Sequence, residues 1–394
     1  MSEAGASPQA AREIAPPFFA ARLASVYSTF SALLAIHVAF LPYWLEQQGL
    51  SPYLISIVMT APLVARVLFS GPITAYGDRA ADRANVIILL CWLMAAGYSL
   101  LEFVSGFWMI LAAVAALSIA GNPIMPVIDS VALSGVRRYD SDYGRIRLWG
   151  SIFFLATGAF VGWLIERSAN ADIIVHLLIG CAIATALSSL ITPRIGARRN
   201  LPQRGLVRLG ILARNPALAA VIAANALVAA GHAVLFTFAT LYWLSLGMSA
   251  TAVGILWAIG TLAEVALFQF ARRLVGWMSP SALMMIGAIG AAVRWLGMPL
   301  DLPFAGIAVL QTLHALSFGA THLGLMRWFS ANVEEKDLSI VNGTAFVVAG
   351  ICQGISVLAS GLIYDSYGAL AFAVMAFPAA GGAVAAYLAA RARA

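Results

Sequence analysis

The 394-residue sequence predicts an all-α membrane protein with twelve transmembrane helices in two six-helix halves. Three observations carry this expectation. Only 10% of the residues are charged and 62% are hydrophobic. With a mean hydropathy of +0.90, that composition leaves too little polar surface to cover a soluble domain of this size. Apolar stretches of roughly 20 residues, the length that crosses a bilayer core, recur along the chain without the alternation of an outer-membrane barrel. A short motif at the end of the first stretch also returns about half a chain later.

Read in order, the spans of the first half are 18–45, 53–76, 85–105, 107–133, 148–167 and 171–193. Those of the second are 216–245, 249–270, 281–298, 302–328, 339–363 and 368–390. Pro62, Pro72, Pro123, Pro126 and Gly158 fall inside spans, where they mark kinks and close helix contacts more often than ends. Residues 1–17 read as a tail, without the basic start and short apolar core of a cleaved signal. Residues 194–215 form a basic linker and 391–394 a second tail. Cys91, Cys181 and Cys352 all lie in apolar spans and read as small core residues, with no disulfide or metal-ligand spacing.

Basic residues set the expected orientation. With both termini in the cytoplasm, Arg79, Arg83, Arg137, Arg138, Arg145, Arg147, Arg194, Arg198, Arg199, Arg204, Arg208, Arg214, Arg272, Arg273, Arg327, Lys336, Arg391 and Arg393 all fall on that side. The outer side holds Arg167 and the acidic Glu46, Asp172, Asp301 and Asp365. This is the positive-inside bias of an inner-membrane protein. It accounts for the formal charge of +6 without nucleic-acid binding. The linker arginines read as solvated, with contact to anionic lipid as the alternative.

The repeat matches Tyr43-Trp44-Leu45 and Gly49-Leu50-Ser51 with Tyr242-Trp243-Leu244 and Gly247-Met248-Ser249, at an offset close to 199 residues. Each copy closes the first span of its half and opens the second. Parallel six-helix copies are the repeat pattern of one large class of secondary transporters.

Charges inside spans are costly and mark function by default. Arg66 lies deep in the second span. Its planar fork suits a carboxylate, and a purely structural ion pair is the alternative. Glu264 in the eighth span is the expected proton-binding acid, since burial eases protonation of a carboxyl; an ionised partner of Arg294 or Arg66 is the alternative. The repeat offset relates Arg66 approximately to Glu264, which suggests opposite charges around one cavity. Asp129 follows the distorted Asn122-Pro123-Ile124-Met125-Pro126 segment, aligns approximately with Arg327, and reads as a gate or an interhelical salt bridge. Arg294 is expected to balance Glu264. His314 and His322 lie near one helical stripe and do not form a metal site. His37 in the first span is a weaker candidate.

The segment Asp142-Tyr143-Gly144-Arg145-Ile146-Arg147-Leu148-Trp149-Gly150-Ser151 resembles the major facilitator superfamily, and within it the phenylpropionic acid transporter family, with a more distant likeness to lactose permeases. Gly231-His232-Ala233, Leu256-Trp257-Ala258-Ile259-Gly260, Ala263-Glu264-Val265, Arg294-Trp295 and Met326-Arg327 are similar to the same family, so the resemblance covers nearly the whole chain. It implies the major facilitator fold and central roles for helices 1, 4, 7 and 10. That places Tyr27, Asn122, Asn225, His232 and His314 near the substrate. His232 can donate a hydrogen bond or exchange a proton near neutral pH. The loop of Asp78, Arg79, Asp82 and Arg83 resembles the superfamily signature but has Thr74 where a glycine is expected. These four residues, with Arg145, Arg147 and Arg327, are the expected gating charges, and simple topology is the alternative.

The resemblance implies proton-coupled symport of a small aromatic carboxylate such as a phenylpropionate-like acid. Sugar or nucleoside transport, export of a drug or metabolite, and a non-transporting sensor are the alternatives. No nucleotide loop, dinucleotide fingerprint or catalytic constellation is present, so no enzyme activity is expected. The expected partners are a small-molecule substrate, protons and membrane lipids, with no cofactor, metal or nucleic acid, and the functional unit is a monomer.

Overall fold

A computed structural model describes residues 14–392, apart from 169, 197–209, 211, 213, 214 and 336. The tail before residue 14, most of the basic linker (Arg198, Arg199, Arg204, Arg208 and Arg214), Lys336 and Arg393 lie outside the described residues.

The fold is all-α with twelve membrane-crossing helices. They are α1 Phe19–Gln47, α2 Pro52–Arg79, α3 Arg83–Leu100, α4 Phe107–Tyr139, α5 Tyr143–Arg167, α6 Ile173–Ser189, α7 Pro216–Ser245, α8 Ala250–Leu274, α9 Pro280–Gly297, α10 Phe304–Asn332, α11 Leu338–Tyr367 and α12 Leu370–Arg391. Eleven are long and apolar enough to cross a bilayer, and α6 is an apolar helix of 17 residues. Large side chains such as Leu93, Phe160, Leu262, Ile289 and Val309 are exposed on the outside of the bundle. Such a belt suits lipid tails and would be an aggregation surface in water.

Local chemistry explains the helix ends. Ser51, Asp142, Asn215, Ser249 and Ser279 each accept a backbone N–H of the following first turn, which satisfies one orphan donor. The repeat copies have the same geometry. Gly49 and Gly247 sit at φ of 81° and 79°, a conformation that favours glycine, and each is followed two residues later by a capping serine. The Asp142 cap starts α5 five residues before the sequence expectation. Arg145 and Arg147 are therefore helical rather than in a loop.

Four spans are interrupted, α12 only by a turn at Met375 between Leu370–Val374 and Ala376–Arg391. In α4 the regular helix ends at Gly121 and restarts at Ile124, because Pro123 and Pro126 carry no N–H to continue the ladder. In α7 a turn at Gly231–His232 separates two helical pieces. In α10 a π-helical segment, Ala315–Ala320, inserts between α-helical pieces. The breaks in α4, α7 and α10 lie on helices that the family resemblance places at the centre.

Packing repeats with a period of six helices. The pairs α1·α5, α1·α6, α2·α4, α3·α4 and α3·α6 recur as α7·α11, α7·α12, α8·α10, α9·α10 and α9·α12. The two sets meet along two seams, α2 with α11 and α5 with α8, and α1 also touches α7. The α5·α8 seam is tight because glycines face each other. A β-carbon at Gly254 would collide with the carbonyl of Gly158, and one at Gly162 would collide with the carbonyl of Ala250. At the same end Glu166 accepts the Thr251 N–H at 2.9 Å, and across the α1·α7 contact Thr240 donates to the Ala39 carbonyl at 2.5 Å.

Candidate functional site

A cavity of about 470 Å³ lies between the two sets of helices. The glycine seam closes it at one end. Its residues toward the arginine-rich helix ends, Arg147 and Phe268, are exposed, so it opens that way. One wall is aromatic and apolar: Leu34, Phe154, Phe236, Trp257, Phe268 and Phe318. Phe236 stacks on Trp257 with centroids 6.0 Å apart, and the indole N–H donates to Thr240 at 3.1 Å. Polar groups gather in two places, as suits a mostly apolar organic ligand with a few anchors.

The first polar group is built by α8, α9 and α10. Arg294 is 1% exposed and reaches across to α10. It donates to Gln311, to Nδ1 of His314 at 3.1 Å and to the Ser317 hydroxyl at 3.4 Å. Arginine has no acceptor, so His314 Nδ1 accepts and the ring proton sits on Nε2. That Nε2 faces Glu264 Oε2 at 3.4 Å. His314 thus links the arginine to the acid in its neutral form. His232 extends the group: Nδ1 donates to the Val228 carbonyl at 2.9 Å, which leaves Nε2 to accept from Ser317 at 3.1 Å. Gln311 donates in turn to the Leu256 carbonyl at 3.3 Å. The π-helical segment brings Ser317 into this group, and the turn in α7 brings His232. His322 and Arg147 lie within electrostatic reach of Glu264.

The second polar group is built by α1, α4 and α5. Asp129 Oδ1 accepts from Tyr27 at 2.5 Å and from Tyr143 at 3.0 Å, and Arg147 Nη1 stands 3.5 Å away. The Arg147 guanidinium also lies over the Tyr27 ring, 5.8 Å from its centroid, and 3.4 Å from the Met125 sulfur. Its side chain is 47% exposed, against 29% for Asp129. Of the two arginines that line the cavity, Arg294 is enclosed by its partners and Arg147 keeps an open fork.

The sequence matches the MFS_1-like family over residues 20–374. The chain belongs to this family of the major facilitator superfamily. Among curated relatives of this family member, a probable 3-phenylpropionic acid transporter of Escherichia coli (strain K12) is 31% identical over 366 residues, covering 91% of this chain and 94% of the relative. A maltose permease of Geobacillus stearothermophilus is 26% identical, covering 75% and 73%. Among solved structures, the nucleoside transporter NupG superposes with a TM-score of 0.80 at 14% identity, covering 95% of this chain and 99% of that one. A bacterial homologue of the human lysosomal transporter Spinster gives 0.72 at 14%, covering 99% and 98%. These two show the fold alone. The MFS_1-like chain is a secondary active transporter. It is a multi-pass protein of the bacterial inner membrane, where helical spans belong, since the outer membrane carries barrels.

The structure of this MFS_1-like protein separates residues that the sequence grouped. Arg66 does not line the central cavity or meet Glu264. α2 turns it into the seam with α11, where it donates to Gln353 at 3.1 Å and lies over Phe346 at 5.0 Å. The offset argument failed because equal sequence position does not set the face a helix presents. Asp129 pairs with Arg147, not Arg327, and Arg327 donates to the Val275 carbonyl at the end of α8 at 2.9 Å. Asn122 holds α4 to the Pro62 carbonyl of α2 at 2.8 Å.

Of the expected gating charges, Arg83 donates to Ser130 and Ser134 and so ties α3 to α4. Asp82 caps α3 and meets Arg194 at 3.3 Å. Asp78 is buried and Arg79 ends α2. Among the described residues Arg145 pairs locally with Asp142, at 89% exposure. Asn225 lies on α7 and does not line the cavity. Sequence reasoning did not single out Gln311, Ser317, Tyr143 or Met125. Gln311 had a signal, since it precedes His314 by one helical turn. Among the described residues no set of three His, Cys, Asp or Glu groups is placed to hold a metal.

Proposed function

We propose that this transporter carries a small aromatic carboxylate together with a proton. The observation that carries the reading is the charge balance of the cavity. Two arginines on its wall, Arg147 and Arg294, stand against two carboxylates, Glu264 on the wall and Asp129 paired with Arg147, and His314 between Arg294 and Glu264 is neutral by its hydrogen bonds. A substrate carboxylate entering alone would leave one uncompensated negative charge out of water, at a cost of several kcal/mol. A proton taken up with it restores neutrality. Arg147 binds the carboxylate with its open fork, and the wall of Phe154, Phe236 and Trp257 keeps the cavity apolar around it. Glu264 receives the proton, and the His314–Arg294–Ser317–His232 chain holds it in place. The likeness to a probable 3-phenylpropionic acid transporter supports the same substrate class.

The arginine-rich ends are cytoplasmic by the positive-inside bias, so the described state is open inward. The six-helix sets, residues 18–193 and 216–390, rock as bodies along the α2·α11 and α5·α8 seams, and one chain suffices as the working unit. The test is reconstitution in liposomes with an imposed proton gradient, offering aromatic acids, sugars and nucleosides in turn. Gradient-driven uptake of an aromatic acid with measurable proton entry is expected. Uptake of a sugar or nucleoside with none of an aromatic acid would overturn the reading.

A further inference from the structure

A second cavity of about 170 Å³ lies among α1, α2, α3 and α4, beside the central one. The two share Leu34 and Met125 as lining residues, so these side chains form the partition. Met125 also touches the Arg147 guanidinium at 3.4 Å. Met125 thus lies against the Arg147 fork in one cavity and lines the other. Methionine is unbranched and soft, and suits a partition that yields to a ligand.

The break in α4 creates the space. Gly121 carries no side chain where the helix stops, and a β-carbon there would approach the Met94 sulfur to 3.4 Å. The walls are mostly apolar, with Phe30, Leu33 and Leu117 among them. Two polar atoms stand out. The Asn122 amide nitrogen is spent on the Pro62 carbonyl, while its oxygen has no described hydrogen-bond donor. The Tyr98 hydroxyl occupies His37 Nδ1 at 2.8 Å, and Nε2 of that ring has no described partner. The site therefore offers an acceptor and a second polar nitrogen in an apolar shell. A dry cavity of about 150 Å³ holds one benzene ring, so this one is sized for a single ring.

We propose that the cavity behind Met125 and Leu34 is the ring subsite of the transporter, selecting acids whose aromatic ring carries a hydroxyl group. The hydroxyl exchanges its hydrogen bond with His37 Nε2. The carboxylate stays on Arg147, and the alkyl tether crosses Met125. This rests on the aromatic-acid reading above and adds where the ring goes and which rings are preferred.

The experiment measures affinities of the full chain in detergent or liposomes for butyrate, 3-phenylpropionate, 3-(4-hydroxyphenyl)propionate and 3-(2-naphthyl)propionate. The hydroxylated ring is expected to bind about fivefold more tightly than the plain ring, the worth of one net hydrogen bond. His37→Phe should bring that ratio to about one. Gly121→Val, which fills the cavity, should lower the ratio of aryl to alkyl affinity at least about tenfold, since the ring loses its buried site. Leu34→Ala widens the passage and should raise naphthyl affinity relative to phenyl. An aryl-to-alkyl ratio unmoved by Gly121→Val, or a naphthyl-to-phenyl ratio unmoved by Leu34→Ala, overturns the subsite while the carboxylate reading stands. Failure of the unaltered protein to bind any of the four acids overturns both.

Discussion

Gly254→Ala tests the seam that closes the cavity. The methyl would stand 2.6 Å from the Gly158 carbonyl carbon and 3.0 Å from the Ala159 Cα, and its three nearest atoms are all backbone. Carbon atoms settle at roughly 3.5–4.0 Å, so α5 and α8 must part by about 1 Å. No side chain can swing aside to absorb this. Overpacking of such a contact costs about 1–3 kcal/mol, and each 1.4 kcal/mol is tenfold in population. The state with this seam closed should therefore lose about 5- to 150-fold in weight against the state with it apart. Spin labels on Asn170 and Leu300, in a background without the native cysteines, report the separation of the two helix sets at that end by pulsed electron resonance. The long-distance population should rise and transport should slow, because the return through the closed seam becomes unfavourable. An unchanged distance distribution with the folded variant would refute the reasoning that glycine contact sets this equilibrium.

Three further outcomes follow from the same geometry. Glu264→Gln keeps the shape of the side chain but removes the proposed proton acceptor, so proton entry accompanying substrate should disappear in liposomes read with an internal pH dye; an unchanged proton-to-substrate ratio would sink that assignment. Arg147→Lys keeps the charge and loses the fork, and carboxylate affinity by calorimetry should fall about tenfold; equal affinity for every acid would remove Arg147 as the anchor. Arg83→Leu leaves Ser130 and Ser134 without their charged donor, and the protein in detergent should lose about 2–4 kcal/mol of stability; an unaltered melting temperature would show that this tie between α3 and α4 is redundant.

Much of this molecule was legible in the chain. Span length, the basic bias of one side and the Gly-x-Ser repeat are local properties of composition and capping, so the helix count and the six-helix period could be read directly. The scarcity of charge also pointed to Glu264, Arg294 and His314, because ionisable groups survive in hydrocarbon only with partners. Which partners they have was another matter. Arg66 and Arg147 are both arginines on membrane helices, and the rotation of α2 and the cap at Asp142 decide that one enters a seam and the other the cavity.

Sequence by itself therefore determined the class, the spans and the short roster of internal charges, because hydrophobic length and desolvation cost act residue by residue. Only the tertiary structure decided that Arg147 is the open fork and that the π-helical turn carries Ser317 to Arg294. It alone placed a ring-sized space behind Met125. These depend on helix rotation and on breaks in backbone hydrogen bonding, which no run of residues along a single helix records.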